Sequence, residues 1–541
     1  MFGKGFDRGI KDRMLNSPID LKNSPSVIRV GFRILCAVIL VSLFALLRIL
    51  LKEPSWVEHP IQVRKKIIYF LILMFALGVF FRMIESRFRK ISPGLHFVLL
   101  VIYSAAYVFA VMLLGRDSVC MPLNDSGSLS EGAKYIAGIT DEMSWTYFSR
   151  WHNNIPALFF LGMIYRCGVM AGISDLPMFV AFTNLIQVVV ALVCIFLICR
   201  KVCGTYSSGW IGVLCFTLYP VTMGFSLSQY TDAFSLCFGI LAALLWIYQA
   251  DDTVTEKNGK KTKSSSGLLP MLISGLLWAF GGQIKATVLI SFVAVLIWTV
   301  CFRPQKKNLL RLLIPGSMIV FVAVIMKLIV AGLPVREYDQ AWGTPLVPYY
   351  LGLGMEADGA FHLDSPIFNG IGATSGMKEK SEYAWNYVWE NRSALTDPEH
   401  IKAKALVNFA TGTLNVMDFF WDDDPDSKGI LFHMMSWEGG ETRVTFFRWA
   451  TGYWYALLFL YTLGWLLLLL AKKLDALTFI CYVSFLGIMV YVMLFEANSR
   501  QLYNHLPILI CCSVITLFRC IDLMAGLIGK NKNTRRTGHE I

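Results

Sequence analysis

The stretch PMFVAFTNLIQVVVALVCIFLICRK, residues 177–201, decides the fold class of this chain. Residues 177–199 carry no charge, and a basic pair follows them. Because a helix rises about 1.5 Å per residue, a helix over these residues is long enough to cross the ~30 Å hydrocarbon core of a bilayer. Lys and Arg cluster at the cytoplasmic ends of such helices. The stretch therefore predicts a transmembrane helix whose C-terminal end faces the cytoplasm.

The rest of the chain repeats this pattern. Of its 541 residues, 56% are hydrophobic and only 16% are charged, which is more apolar than a soluble core of ordinary size explains. Stretches with the length and composition of membrane spans lie at 30–51, 66–81, 97–115, 177–199, 207–223, 233–249, 267–283, 286–302, 312–332, 447–471, 475–494 and 504–527. The predicted fold is an all-α polytopic membrane protein with about twelve transmembrane helices.

The distribution of charge predicts which side each loop faces. The formal net charge is +12, and the basic residues lie in short runs between apolar segments, as the positive-inside rule requires. Nucleic acid is therefore not implied as a partner, whereas the lipid bilayer is. Residues 1–26 are polar and basic and lack the apolar core of a cleavable signal peptide. We expect cytoplasmic basic tails at 1–29 and 528–541 in a multi-pass protein of the cell membrane.

One further apolar stretch, residues 156–171, tests this topology. It is apolar enough to be a thirteenth span, but counting it would place every later basic run outside. We therefore expect residues 156–171 to lie in the membrane interface or to be re-entrant.

The domain organisation follows from the spans. An N-terminal transmembrane hairpin (30–96) precedes a transmembrane core (97–332), which contains a first outer loop at 116–176. The region 333–446 carries seventeen acidic and eight basic residues, opposite in sign to the cytoplasmic loops, and is predicted to be an extracytoplasmic loop subdomain. Residues 447–527 supply the C-terminal transmembrane helices. This gives two extracytoplasmic loop regions.

Charged residues from separate parts of the chain share one predicted depth, at the outer membrane boundary. They are Asp125, Asp232, Lys285, Glu496 and Arg500. An acid beside a helix end is commonly a cap or an interface anchor, and either Thr231 or Asp232 could cap the helix that follows. Charges at apolar boundaries are costly, so a coincidence of five on one side favours a functional site.

The chemistry that these residue types suggest is electrostatic, and two roles stay open. In one, Lys285 and Arg500 hold a phosphate while Asp125 takes a proton from an incoming hydroxyl. In the other, Asp125, Asp232 and Glu496 share a divalent cation such as Mg²⁺ or Mn²⁺ through hard oxygen ligands. The chain has no phosphate-binding GxxxxGK[ST] loop, no GxSxG nucleophile motif and no HExxH zinc motif.

The order of several motifs resembles the GT-C superfamily of lipid-dependent membrane glycosyltransferases. These motifs are PLNDSGSLSEGA (122–133), YFSRWHNN (147–154), YTD (230–232), IKAT (284–287) and EANSRQLYNHLP (496–507). Within that superfamily the chain is most similar to the bacterial relatives of protein O-mannosyltransferases, in glycosyltransferase family 39. The resemblance covers about residues 97–527 and implies a GT-C-like fold with a catalytic transmembrane core.

The resemblance also implies an activity, which is inverting transfer of a hexose or pentose from a polyprenyl-phosphate donor to an extracytoplasmic acceptor. The acceptor is a cell-wall polymer, a glycolipid or a protein. Asp125 matches the catalytic base, Asp232 the acid that supports the site or a metal, and Lys285 a lipid-phosphate ligand. The remaining matches to substrate-binding positions are Tyr230, Asn153, Asn154, Glu496 and Arg500. The chain departs from the family pattern at His152, where a Pro is usual, and between Arg500 and Tyr503, which are commonly adjacent residues in the family.

Two other functions compete with this interpretation. A transporter or flippase also needs many spans and intramembrane charge, and Lys327, inside the ninth predicted span, favours it. Against it, the chain shows no internal repeat. A scaffold protein would use the acidic region 333–446 to bind a partner, and the shared depth of Asp125, Lys285 and Arg500 would then be accidental.

Overall fold

The computed structural model describes residues 18–22, 25–52, 60–120, 122–249, 254–257, 260–263, 268–333, 343–422 and 424–537. Nearly all of this part of the chain is helical. Residues 1–17 of the expected N-terminal tail and 538–541 of the C-terminal tail lie outside the described residues. Two short antiparallel pairs are the strands of the described chain: Ile19–Asp20 with Lys473–Leu474, and Val254–Lys257 with Lys260–Lys263.

Nine helices in the described ranges are long and apolar enough to cross a membrane. They are Ser26–Lys52, Gln62–Met83, Pro93–Gly115, Leu176–Cys203, Thr231–Tyr248, Lys306–Ala331, Gly440–Leu470, Ala476–Leu494 and Ser499–Leu527. Each overlaps a span predicted from hydropathy, because a bilayer admits a chain only where a long apolar helix satisfies its own backbone. The prediction of an all-α, multi-pass membrane protein is confirmed.

The three other predicted spans have a different form. Residues 207–223 fold as two helices, Tyr206–Thr217 and Val221–Leu227, that meet at 62°. Pro220 lies at the junction, and proline ends a helix because it lacks an N–H and clashes with the preceding turn. The stretches 267–283 and 286–302 form the shorter apolar helices Leu268–Ile284 and Ala286–Phe302. The count of twelve spans therefore stays a prediction.

Shorter helices gather around the ends of the long ones. The α-helices are Glu85–Phe88, Asn124–Ile136, Thr146–Arg150, Ile155–Met170, Leu346–Leu353, Pro366–Ala373, Met377–Glu390, Pro398–Phe409 and Ile430–Met435. The 3₁₀ helices are His152–Asn154, Ala286–Leu289, Arg392–Thr396, Val416–Phe419, Pro425–Ser427 and Ser499–His505. The long helix Ala476–Leu494 ends shortly before the 3₁₀ helix Ser499–His505, which begins the long helix Ser499–Leu527. This 3₁₀ helix carries Arg500 of the candidate site.

The helix Ile155–Met170 covers the stretch expected to be interfacial or re-entrant. Its 16 residues span about 24 Å, less than the hydrocarbon core of a bilayer. It packs along the helix Asn124–Ile136, where Gly162 leaves just enough room for Ile136. This short helix therefore packs against the helix Asn124–Ile136 of the predicted first outer loop. Its depth in the bilayer stays a prediction.

Contacts between polar groups join some of the loops with basic runs. The Glu85 carboxylate accepts hydrogen bonds from the backbone N–H groups of Tyr206 and Ser207, at 3.2 and 3.0 Å, which brings the loop with the run 87–90 close to the end of the helix that carries Arg200 and Lys201. Arg519 donates to Asp475 at 3.3 Å, beside the strand Lys473–Leu474. The side of the membrane that these loops face stays a prediction.

The region 343–446 is divided between two packing environments. Residues 346–384 have a small core of their own, which includes Tyr349 and Ile367. Residues 406–435 instead contribute to the main core of the bundle, where Trp454 Nε1 donates to the Phe409 carbonyl oxygen at 3.1 Å. Residues 406–435 of the expected outer subdomain therefore pack in the core of the helical bundle. This packing fixes the position of the subdomain relative to the transmembrane helices.

Candidate functional site

The centre of the candidate site is an ion pair between Asp232 and Lys285. Asp232 lies in the short helix Thr231–Phe234 and is fully buried. Lys285 is the single extended residue between the helices Leu268–Ile284 and Ala286–Phe302. Its Nζ donates to Asp232 Oδ1. Breaking the helix at Lys285 turns the side chain inward, so that the buried carboxylate finds its counter-charge.

Arg500 adds a second positive charge to Asp232. The Arg500 Nε lies 3.9 Å from Asp232 Oδ2, and the guanidinium lies 4.9 Å from the ring centre of Tyr230. Asp232 Oδ2 is buried and accepts no hydrogen bond from the described residues. Arg500 comes from the 3₁₀ helix Ser499–His505, whose N-cap Asn498 accepts a hydrogen bond from the Arg500 backbone N–H. Asp232 thus lies between two cations and is neutralised by them.

Asp125 has different partners from Asp232. It lies in the first turn of the helix Asn124–Ile136, where the helix dipole favours a negative charge. Tyr230 Oη donates to Asp125 Oδ2 at 3.0 Å, and the Tyr147 hydroxyl interacts electrostatically with the same carboxylate. The carboxylate is partly exposed. Two phenols therefore lie beside Asp125, and one of them holds it by a hydrogen bond.

The two asparagines of the YFSRWHNN motif connect to Asp125 through Tyr147. Asn154 Nδ2 donates to Tyr147 Oη at 2.6 Å, and Asn153 Nδ2 donates to Asn154 Oδ1 at 3.3 Å. Burial raises the pKa of Tyr147 well above its ordinary value, so its hydroxyl stays protonated and available as a donor. Asn154 is therefore a positioning residue for Tyr147, and Asn153 is one step further from the carboxylate.

Glu496 is held beside the site by the outer region. The neighbouring Ala497 N–H donates to the Gly359 carbonyl oxygen at 2.7 Å. Lys404 Nζ donates to the carbonyl oxygens of Phe495, at 2.7 Å, and of Gly354, at 2.8 Å. The Glu496 carboxylate interacts electrostatically with Arg500 and Lys404. Glu496 therefore belongs to the charged cluster, and its backbone is fixed by contacts with residues 354–404.

Lys404 was not predicted as a site residue. It is 1% exposed, and burial lowers the pKa of its amine to about 8. No motif surrounds it in the sequence, where it stands between Ala403 and Ala405, and a lysine in a helix is almost always exposed to solvent. The contact of Lys404 with Gly354 and Phe495 also requires a glycine at position 354. A Cβ atom there would collide with the carbonyl oxygens of Leu494 and Phe495. The close backbone approach explains why a glycine stands at this position.

Two more residues were missed. Tyr147 lies in the quoted motif YFSRWHNN, so the signal was present, but its hydroxyl partner was not predictable. Asp418 lies in the 3₁₀ helix Val416–Phe419, at the rim of the site, where it interacts electrostatically with Arg500 and partial burial raises the pKa of its carboxyl. The preceding Leu414 and Asn415 both have positive φ, at 50° and 54°, and this turn brings Asp418 to the rim.

The arrangement does not fit the hypothesis of a shared divalent cation. Within the described ranges, no three His, Cys, Asp or Glu side chains are grouped closely enough to hold a metal ion. Asp232, one of the three expected ligands, is already paired with Lys285 and Arg500. The carboxylates Asp125, Asp232 and Glu496 therefore do not form a Mg²⁺ or Mn²⁺ site in this geometry.

Comparison of the chain with protein-family models, with curated proteins and with solved structures finds no match. The chemistry of the site is therefore argued from its own residues. Of those predicted from the sequence, the structure brings Asp125, Tyr230, Asp232, Lys285 and Arg500 into one contact network. Asn153, Asn154 and Glu496 surround that network. His152 and Tyr503 lie outside it, and Tyr503 stacks on Phe225 in the helical core.

Proposed function

We propose that the protein is a membrane glycosyltransferase that transfers a sugar from a polyprenyl-phosphate donor to an acceptor hydroxyl. The observation that carries the proposal is the role of Tyr230. Its hydroxyl donates to Asp125 while its ring lies beneath the Arg500 guanidinium. One buried side chain thus fixes the distance between a candidate base and a candidate phosphate ligand.

The two carboxylates near Arg500 have separate roles in this proposal. Asp232 is fully buried and paired, so it cannot reach an acceptor; it orients Lys285 and Arg500. Asp125 is partly exposed and accepts a hydrogen bond from the neutral phenol of Tyr230, so it can accept a proton. In the reaction the acceptor oxygen bonds to the anomeric carbon while its proton passes to Asp125. The bond from that carbon to the phosphate oxygen breaks, and the electron pair leaves with the phosphate.

Arg500 is the better placed of the two cations for the leaving phosphate. The Arg500 side chain is 22% exposed and carries several N–H donors, whereas the Lys285 side chain is 12% exposed and its Nζ is engaged by Asp232. Lys285 contributes mainly by neutralising Asp232, which would otherwise repel an incoming anion. A buried apolar cluster, with the partly buried Val330 packed against it, includes Phe234 and Ile284, which are close neighbours of Asp232 and Lys285 in the chain.

The test is sugar transfer by purified protein in nanodiscs. We expect wild type to transfer labelled sugar from polyprenyl-phosphate donors to a membrane extract. Asp125→Asn should lower the rate by about 10²-fold or more, the contribution typical of a general base, without weakening donor binding. The matched control is Asp141→Asn, an exposed acid of the same loop, which should transfer normally. Equal rates for wild type and Asp125→Asn would contradict the proposed base.

A transporter is the second candidate, and one observation favours it. The helix break at Pro220 and the extended residues 228–230 resemble the discontinuous helices that surround transporter substrates. Against this, Lys327 is exposed one turn before the end of its helix, where it can reach the membrane interface. Uptake of free sugars into proteoliposomes, with no transfer from any lipid donor, would favour the transporter.

A further inference from the structure

A cavity with polar and aromatic walls is lined by Tyr147 and by Ser128 of the helix Asn124–Ile136, which also carries Asp125. Its volume is about 380 Å³, at the small end of the range typical of ligand sites. The helix Asn124–Ile136 forms one wall and the segment 143–151 forms the other. Ser128 and Glu131 continue from Asp125 along that helix at steps of three residues, which places neighbouring side chains on adjoining turns. The cavity is therefore adjacent to the candidate base.

The lining groups offer both hydrogen-bond directions at once. Glu131 supplies an acceptor, Arg150 supplies donors, and the hydroxyls of Ser128 and Ser144 act as either. Tyr147 and Trp151 add aromatic surface, and Trp151 is braced by its packing on Tyr349, with ring centres 5.4 Å apart. Sugar rings need this combination, because their hydroxyls both donate and accept while their C–H faces pack on aromatic rings.

The same lining is a poor match for other acceptors. Met143 is the one aliphatic side chain among the lining residues, so a long lipid tail would find little aliphatic surface in the cavity. Glu131 and Arg150 carry opposite charges and cancel, which does not favour a strongly charged ligand. A short neutral saccharide fits this chemistry best.

We propose that this cavity binds the acceptor and that the acceptor is a saccharide chain end. The inference rests on the proposed glycosyl transfer for its catalytic meaning, but saccharide binding is testable without turnover. Tyr147 connects the two sites, since it lines the cavity and its hydroxyl is close enough to Asp125 to interact electrostatically with it. A sugar hydroxyl at the inner end of the cavity would approach the carboxylate that accepts its proton.

The experiment measures binding of trisaccharides of glucose, mannose and N-acetylglucosamine by saturation-transfer NMR, with purified full-length protein in nanodiscs. Ser144→Trp fills the cavity, and Glu131→Gln keeps its volume while removing the carboxylate. The matched control is Thr140→Trp, because Thr140 is exposed in the same segment and is not among the lining residues. A glycine-serine peptide tests the alternative acceptor class, and binding of undecaprenyl phosphate is measured in parallel.

We expect at least one trisaccharide to bind wild type and Thr140→Trp equally. Its affinity should fall about tenfold or more in Ser144→Trp and in Glu131→Gln, with undecaprenyl phosphate binding unchanged. Failure of every trisaccharide to bind wild type would overturn the inference, as would equal binding by Ser144→Trp or displacement by the peptide. If trisaccharides bind as expected but undecaprenyl phosphate does not, the saccharide site stands and the proposed donor chemistry fails.

Discussion

Replacing Lys285 with methionine tests whether this lysine serves Asp232 or the donor phosphate. Methionine keeps most of the length of the side chain and removes the charge. Asp232 would stay fully buried with Arg500 as its remaining counter-charge, 3.9 Å away. Breaking a buried ion pair by removing one partner costs about 3–5 kcal/mol. We expect a loss near 3 kcal/mol, because the gross attraction to Arg500 at that distance is about 4 kcal/mol at an effective dielectric constant near 20.

The double variant Lys285→Met/Asp232→Asn removes both charges together. Since no uncompensated carboxylate is then buried, we expect it to recover most of the stability that Lys285→Met loses, with a coupling energy of about 2 kcal/mol. The assay is thermal unfolding of the purified protein in detergent, followed by tryptophan fluorescence. Lys327→Met is the matched control, because Lys327 is an exposed lysine in an apolar helix, and its change should stay within about 0.5 kcal/mol.

The result that would refute this reasoning is additivity. The single variant Asp232→Asn is measured as well. If the double variant unfolds at the temperature expected from summing the effects of Lys285→Met and Asp232→Asn, Asp232 and Lys285 do not stabilise each other. Binding of polyprenyl phosphate to the double variant then separates the two roles of the lysine. We expect binding to survive, because Arg500 is the proposed phosphate ligand; complete loss in a stably folded double variant would mean that Lys285 holds the phosphate itself.

Two further predictions concern the contact between the outer region and Glu496. Burial lowers the pKa of Lys404 in the folded chain to about 8, against an ordinary value of 10.5. Between these two pH values the unfolded chain binds more protons than the folded chain, so the free energy of unfolding rises with pH, by up to about 3 kcal/mol. Thermal unfolding of wild type and Lys404→Met from pH 7.5 to 10.5 should therefore diverge in favour of wild type as pH rises, and a constant difference would contradict the assignment. Gly354→Ala should undock residues 343–404 and expose them to protease, because the new Cβ meets backbone atoms that cannot move aside; Gly372→Ala, with open space around it, should resist protease like wild type.

The membrane fold was predictable because the bilayer imposes it locally. Twenty or so apolar residues must form a helix, and nothing elsewhere in the chain can change that requirement. The nine long helices coincide with predicted spans for this reason. Hydropathy anticipated the break at Lys285, which lies between the predicted spans 267–283 and 286–302, but it missed the break at Pro220 inside the predicted span 207–223. A hydropathy window averages over such a residue and cannot show whether the chain bends there.

From the sequence, only the depth of the candidate site residues relative to the membrane was predictable. Sidedness and span boundaries placed Asp125, Asp232, Lys285 and Arg500 at one membrane boundary, but partners depend on which helices become neighbours. The residues alone therefore left open whether Asp125 and Asp232 share a cation or act separately, whereas the structure buries Asp232 between two cations and gives Asp125 the Tyr230 phenol as a partner. Lys404 had no signal at all, since its role arises from the docking of residues 354–404 on the segment 494–497.

The division of labour between the carboxylates follows from how each charge is balanced. A carboxylate between Lys285 and Arg500 holds those cations in place, which suits Asp232 to a fixed electrostatic role. Asp125 has a neutral phenolic donor and a helix N-terminus beside it, so it can accept a proton from a substrate without losing a direct ion pair. Tyr230 then couples the two parts, because its hydroxyl follows Asp125 and its ring supports Arg500. A displacement of either residue moves the other, so base and phosphate ligand keep their separation while a substrate enters between them.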